Sequence, residues 1–254
     1  SSTQSFTDVQ TLTSNQSFEN DLNIQETDNG VSISWSINAQ NDVFGMEGEN
    51  TLYSCSQKGN EWITQEIERT NHVVVGKTAG ELDGHPYFAY VVDEDDNLTN
   101  QEGQAAYLVF SDTGEKQRLT EKNVNAIYSV NSQNKIIIID TEGNIYTKSG
   151  AEGEVQKETD EGIVTGRVQQ IVEDGKGNLS ILFIQNDENN ANAYVVQYDS
   201  ETSRWSDALE VTNSENYVEN ISGGYVNGKL ILLYNQREVD VEAFDLNGKN
   251  SLMW

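Results

Sequence analysis

Lys135-Ile136-Ile137-Ile138-Ile139 runs into Asp140-Thr141-Glu142-Gly143-Asn144 and then Ile145-Tyr146-Thr147-Lys148-Ser149-Gly150. The first segment is β-branched throughout and has no polar face, so it reads as a strand buried on both sides. Middle strands of stacked sheets meet that condition. The second segment carries the Asp, Gly and Asn of a tight turn. The third is another strand, ending in a further turn. Two strands joined so closely form an antiparallel hairpin whose faces are both covered.

Outward from this hairpin the same pattern recurs. Strands comparable to the Ile run lie at 31–37, 87–92, 179–184 and 229–234, and strands comparable to 145–150 lie at 52–59, 107–114, 194–200 and 241–248. A shorter strand precedes each pair, starting at positions 18, 72, 124, 166 and 218, so the intervals are 54, 52, 42 and 52 residues. A more polar strand follows at 62–68, 117–119, 155–158 and 208–211, as suits an exposed sheet edge. Four strands repeated every ~40 to 50 residues match the blade of a β-propeller. The expected fold is therefore all-β, a propeller of about five four-stranded blades in one domain spanning residues 1–254. The competing architectures are a truncated larger propeller and paired β-sandwiches. Asp8 to Thr13 resembles the fourth-strand class and is placed to close the ring; the alternative is that Ser251 to Trp254 completes the last unit. The chain starts at Ser1 and ends on Leu252-Met253-Trp254, which suggests a domain cut from a longer multidomain polypeptide.

Composition narrows the partners. Forty-two Asp and Glu against 15 Lys and Arg give a formal net charge of −27. Nucleic-acid binding rests on Lys and Arg neutralising phosphates, so this balance opposes it. It opposes anionic membrane surfaces for the same reason, and no apolar run reaches the ~18 residues that insertion would need. The single cysteine, Cys55, permits no intrachain disulfide and lies in a strand-like run, where it reads as a small hydrophobe.

The turns Asp112-Thr113-Gly114-Glu115, Asp140-Thr141-Glu142-Gly143-Asn144 and Asp174-Gly175-Lys176-Gly177-Asn178, set in this repeat, make the chain resemble the propeller domains of large secreted or surface-anchored proteins of Gram-positive bacteria. The resemblance implies an extracellular or cell-surface setting and further domains of the same polypeptide as neighbours. The run Ser54 to Trp62, with Gly59 three residues before Trp62, also looks like the Asp-box turn of sialidase-type propellers. Gln57 stands where that turn has Asp, and sialidase chemistry is not carried over.

Three constellations bear on chemistry. Propeller glycosidases resemble one another in placing carboxylates on the innermost strands, and glycoside hydrolysis needs two of them flanking one bond. Here 72–78 and 124–130 contain none, Glu173 and Glu219 lie at strand ends, and Glu19 and Asp21 belong to the first unit. Most acids fall in turns and outer strands, where solvation is expected. The two histidines, His72 and His85, form no nucleophilic constellation, and no Gly-x-Ser-x-Gly elbow occurs. In Asp93-Glu94-Asp95-Asp96-Asn97, oxygen-bearing side chains at Asp93, Asp95 and Asn97 alternate as calcium ligands can. Leu98 and Gln104 stand where an EF-hand needs Gly and Glu, so the loop reads first as a solvated hairpin, with a looser calcium site at Asp93, Asp95 and Asn97 as the alternative. Trp62, Trp205 and Trp254, outside the middle strands, can stack on sugar rings. The reading that follows is a non-catalytic binding or scaffold domain recognising a glycan or a protein. The alternatives are a carbohydrate-active propeller enzyme and a structural spacer.

Overall fold

The structure, a computed structural model, describes residues 11–13, 19–27, 30–58, 61–100, 102–121, 123–187, 190–213, 216–237 and 250–253. Strands come in consecutive fours. β1 (Glu19–Thr27), β2 (Gly30–Asn38), β3 (Asn50–Lys58) and β4 (Glu61–Thr70) form the first antiparallel sheet in chain order. β5 (Val73–Leu82), β6 (His85–Asp93), β7 (Gln104–Phe110) and β8 (Lys116–Arg118) form the second. β9 (Val124–Val130), β10 (Lys135–Asp140), β11 (Ile145–Ser149) and β12 (Val155–Lys157) form the third. In the fourth, β13 (Arg167–Glu173), β14 (Leu179–Asn186) and β15 (Ala191–Asp199) are followed by two short strands, β16 (Arg204–Trp205) and β17 (Leu209–Glu210), which share the outer edge of β15. In the fifth, β18 (Tyr217–Val226), β19 (Lys229–Arg237) and β20 (Asn250–Met253) lie side by side, and its strand ladder joins the fourth where Ala191 meets Tyr217. This is a β-propeller fold.

Side-chain alternation explains why the sheets stack. On β10, Ile136 and Ile138 turn toward the second sheet and join Tyr87, Ala89, Leu108 and Phe110. Ile137 and Ile139 turn the other way and meet Ile181 and Phe183 of the fourth. β14 repeats the division, with Ile181 and Phe183 toward the third sheet and Leu182 and Ile184 toward Val218 and Ile221 of the fifth. β6 sends Phe88, Tyr90 and Val92 toward Leu52 of the first sheet. A strand of period two that is apolar on both faces serves two neighbours at once. The four Ile of β10 are wholly buried, as their lack of a polar face predicts.

Three expectations change. The place beside β19 is taken along Tyr234 to Arg237 by β20, so residues 250–253 complete the last unit, as the alternative had it. Val241 to Gly248, expected there, lies outside the described residues, as do residues 1–10 with most of the ring-closing segment at 8–13. β19 is only half-buried, with Ile231 and Leu233 exposed, because among the described residues no sheet covers one of its faces as neighbours cover β10 and β14. Finally, the expectation that the acids are solvated fails at Asp93 and Asp140, which are 0% and 2% exposed.

The charge excess sets how the fold responds to solution conditions. With 42 acids against 15 bases, self-repulsion opposes the compact state. The melting temperature is expected to rise as salt is raised from ~0.01 to ~0.2 M, since screening weakens that repulsion. Several acids are held below the usual carboxylate range: Asp42 by the N–H groups of Glu47 and Phe44, Asp83 by the Ala151 N–H and Asn134, and Asp112 by His85. Their contribution is present above their unfolded values of ~4 and is lost as pH falls through their lower folded values. His85 is raised by the hydrogen bond to Asp112, 2.7 Å away. Its contribution is full below ~6.5 and is lost as pH rises through its folded value. Calorimetry is expected to find greatest stability between about pH 4.5 and 6.5. A maximum above pH 8 would contradict these assignments.

Candidate functional site

Two places gather polar side chains into arrangements with binding chemistry. The first is a cleft between the third and fourth sheets, enclosing an empty volume of about 250 Å³ that includes its open mouth. Its lining joins Gln133, Lys135, Thr147 and Glu158 from one sheet to Leu179, Tyr198 and Trp205 from the other. The β9–β10 turn places Gln133, whose side-chain N–H donates to the Gly177 carbonyl at 3.0 Å and ties the two sheets together. The register of β15 with β16 sets Tyr198 opposite Trp205. Their rings lie 5.1 Å apart at 49°. The Lys135 ammonium sits 5.7 Å from the Tyr198 ring centroid. Thr147 donates its hydroxyl proton to Glu158. The indole N–H of Trp205 is buried and has no hydrogen-bond partner. A buried donor without an acceptor is costly and calls for an explanation.

The second place is the loop between β6 and β7. Asp93 ends β6 fully buried, and its Oδ1 accepts from the Asp95 N–H at 3.2 Å. Asp95 Oδ1 accepts from the Asn97 N–H at 2.9 Å. The Asn97 amide oxygen accepts from the backbone N–H and hydroxyl of Thr99 at 3.2 and 2.6 Å. The structure thus brings Asp93 and Asp95 together, while Asn97 is engaged with Thr99. Asp93 Oδ2 is buried and has no hydrogen-bond partner. Burial, and then the neighbouring Asp95 carboxylate, push the Asp93 carboxyl above its ordinary value. Among the described residues, no three His, Cys, Asp or Glu side chains converge as a ready-made metal cluster.

On the innermost strands, where a hydrolase would hold its acids, Glu219 sits in a charged network. Glu219 of β18 accepts from Arg237 at 2.7 Å and from the Asn235 side chain at 2.9 Å, and the Arg167 guanidinium donates to its carbonyl at 3.2 Å. Glu173 stands at the opposite end of β13 from Arg167, about 20 Å along the strand, where it accepts from the Ser132 hydroxyl. Those two carboxylates are too far apart to flank one glycosidic bond.

Sequence reasoning singled out Trp205 and the Asp93 loop. It missed Lys135, Glu158 and Tyr198 as cleft residues, because the cleft exists only once two sheets 40 to 50 residues apart in sequence are stacked. The unpredicted pairing of β16 with β15 is what turns Trp205 toward Tyr198. Trp62 lies half-buried on β4, and Trp254 lies outside the described residues.

No known protein family and no curated protein matches the sequence. Among solved structures, the fold is similar to that of the NanB sialidase from Streptococcus pneumoniae, with a TM-score of 0.56 at 9% identity over 89% of this chain and 58% of that one. A looser similarity, with a TM-score of 0.43 at 11% identity, covers 89% of this chain and 20% of the tricorn protease. The chain therefore spans little more than half of the sialidase, and what the likeness shows is the propeller fold.

Proposed function

We propose that this chain is a non-catalytic carbohydrate-binding domain of an extracellular or cell-surface bacterial protein, with the cleft between the third and fourth sheets as its binding site. The observation that carries this reading is the Tyr198–Trp205 ring pair with the unpartnered indole N–H beside it. A sugar ring offers an apolar face for stacking and hydroxyls for hydrogen bonding, and the cleft presents both kinds of partner. Lys135 donates, and Glu158 accepts. The setting at the cell surface rests on the acidic composition and on the resemblance in fold and turns.

The test is a glycan-array screen followed by titration calorimetry with the best hit. Trp205→Ala is expected to weaken binding by tenfold or more, as loss of one aromatic stacking partner costs about 1–3 kcal/mol. Lys135→Ala is expected to weaken it less. Unchanged affinity in both variants would place binding elsewhere on the propeller.

A carbohydrate-active enzyme is the second reading, favoured by the Arg167–Glu219–Arg237 network at one end of the innermost strands. It predicts turnover of a chromogenic glycoside that Glu219→Gln abolishes and Trp205→Ala spares. The binding reading predicts no turnover at all.

A further inference from the structure

The β6–β7 loop contains four consecutive acids, and two of them are already engaged. Glu94 accepts from the Tyr107 hydroxyl at 2.5 Å and from Arg118 at 3.1 Å. Asp96 accepts from the Val73 N–H at 3.2 Å and faces His72 at 3.3 Å. These bonds pin the loop to its own sheet and to the start of β5. Its far end is held by the Gly103 N–H, which donates to Asn123 at 3.0 Å. Gly103 has φ +76°, and a Cβ there would come within 3.1 Å of the Asp95 backbone nitrogen and Cγ, so the loop closes tightly over Asp95.

The remaining two acids are Asp93 and Asp95. Asp93 is wholly buried, with Oδ2 unpartnered. An anion taken out of water without a partner is strongly unfavourable. Next to it stands a second carboxylate rather than a donor. The loop spends its backbone N–H groups on the Oδ1 atoms of both acids, which fixes the two carboxylates side by side.

We propose that Asp93 and Asp95 hold a calcium ion, with loop carbonyls and water completing its coordination. A divalent cation answers the unpartnered oxygen and the juxtaposed charges together. Calcium accepts six to eight oxygens in adaptable geometry, whereas magnesium demands a near-ideal octahedron that a loop with two carboxylates does not impose. Asn97 then serves to shape the loop through Thr99 rather than as a principal ligand. The chain's negative field adds to capture by raising the local cation concentration. This site is separate from the cleft, and neither reading depends on the other.

The test uses the whole chain, stripped of metal, in ~0.15 M KCl to screen diffuse surface binding. Calcium titration is expected to show one site above background, with magnesium binding at least tenfold weaker. Calcium at a hundredfold excess over Kd is expected to raise the melting temperature by about 5 °C. Asp95→Asn, at an exposed position, is expected to fold normally and lose the shift. Asp93→Asn separates the ligand role from a merely structural one. Without calcium it is expected to melt higher than the parent, because a buried unpaired charge is gone, and with calcium it is expected to gain nothing. Asp112→Asn, an acid elsewhere on the second sheet, is expected to keep the full calcium shift. Absence of calcium binding would overturn the proposal. So would many weak sites that persist unchanged in Asp95→Asn, since those belong to the surface field.

Discussion

Phe183→Ala is expected to destabilise the protein by about 3–5 kcal/mol. Phe183 is wholly buried in the middle of β14 and is the largest fully buried side chain of the core between the third and fourth sheets. It stacks on Tyr194 with ring centroids 5.4 Å apart at 21° and reaches the Ile137 and Ile139 side of β10. The site cannot collapse to fill the space, because flanking side chains are fixed by ladders on both sheets. Backbone approach is also close here. A Cβ on Gly166, just before β13, would lie 2.2 Å from the Ile184 carbonyl oxygen and 2.9 Å from the Phe183 ring, so no larger residue at that position can compensate. For a chain of this size the loss corresponds to a melting temperature lower by roughly 6–15 °C. Val75→Ala, at an exposed position on β5, is the matched control and is expected to stay within about 0.5 kcal/mol. Urea titration of both variants checks the pair. A cost for Phe183→Ala near that of the control would mean that the sheets are not held by this interface.

The interface was legible in the sequence because burial on two faces leaves a mark that needs no partner to be seen. The Ile run predicted β10, and the structure places it at Lys135 to Asp140. The shorter strand before it was expected at 124–130 and is found there. What the pattern could not carry was anything decided by a distant segment. Lys229 to Tyr234 reads like the other middle strands, yet Ile231 and Leu233 are exposed, since coverage of the second face depends on what stands beside it. The two-residue β16 is too short to show a period, and with it the Tyr198–Trp205 pairing stayed hidden. Asp93 sits among acids that read as a solvated hairpin, and only the packing of β6 reveals that the first of them is drawn into the interior. Candidate ligands could be named from spacing, but the split between acids pinned to other strands (Glu94, Asp96) and the pair held by the loop's own N–H groups (Asp93, with Oδ2 unpartnered, and Asp95 beside it) required the neighbours.

The same distinction between local pattern and surroundings predicts unequal effects at two turns of identical chemistry. Asp140 and Asp174 each open an Asp-x-x-Gly-Asn turn. In both, the Asp Oδ1 accepts from the Asn backbone N–H and the Oδ2 from the Asn side chain: 2.9 and 2.9 Å at Asn144, 3.1 and 2.7 Å at Asn178. Gly143 takes φ +84°, with the Val164 carbonyl 2.7 Å from where a Cβ would be, so that turn is locked from outside as well. Asp140 is 2% exposed and accepts a third bond from the Tyr146 hydroxyl at 3.0 Å, whereas Asp174 lies half-exposed. Removing Asp140 leaves the buried Asn144 backbone N–H without its acceptor and takes a bond from the Tyr146 hydroxyl, while the Asn144 side chain keeps Glu142 at 3.3 Å. Asp140→Ala is therefore expected to cost about 3 kcal/mol, combining charge-assisted hydrogen bonds with the penalty for a stranded donor. Asp174→Ala loses the same local bonds, but solvent re-satisfies the Asn178 donors, so its cost is expected to be clearly smaller. Asp140→Asn, which keeps one acceptor oxygen, is expected to fall between them. Chemical denaturation of the three variants gives the ranking. Equal costs at Asp140 and Asp174 would show that the turn's own geometry sets its value. The expected order would show that burial between stacked sheets converts a common turn into a structural tie.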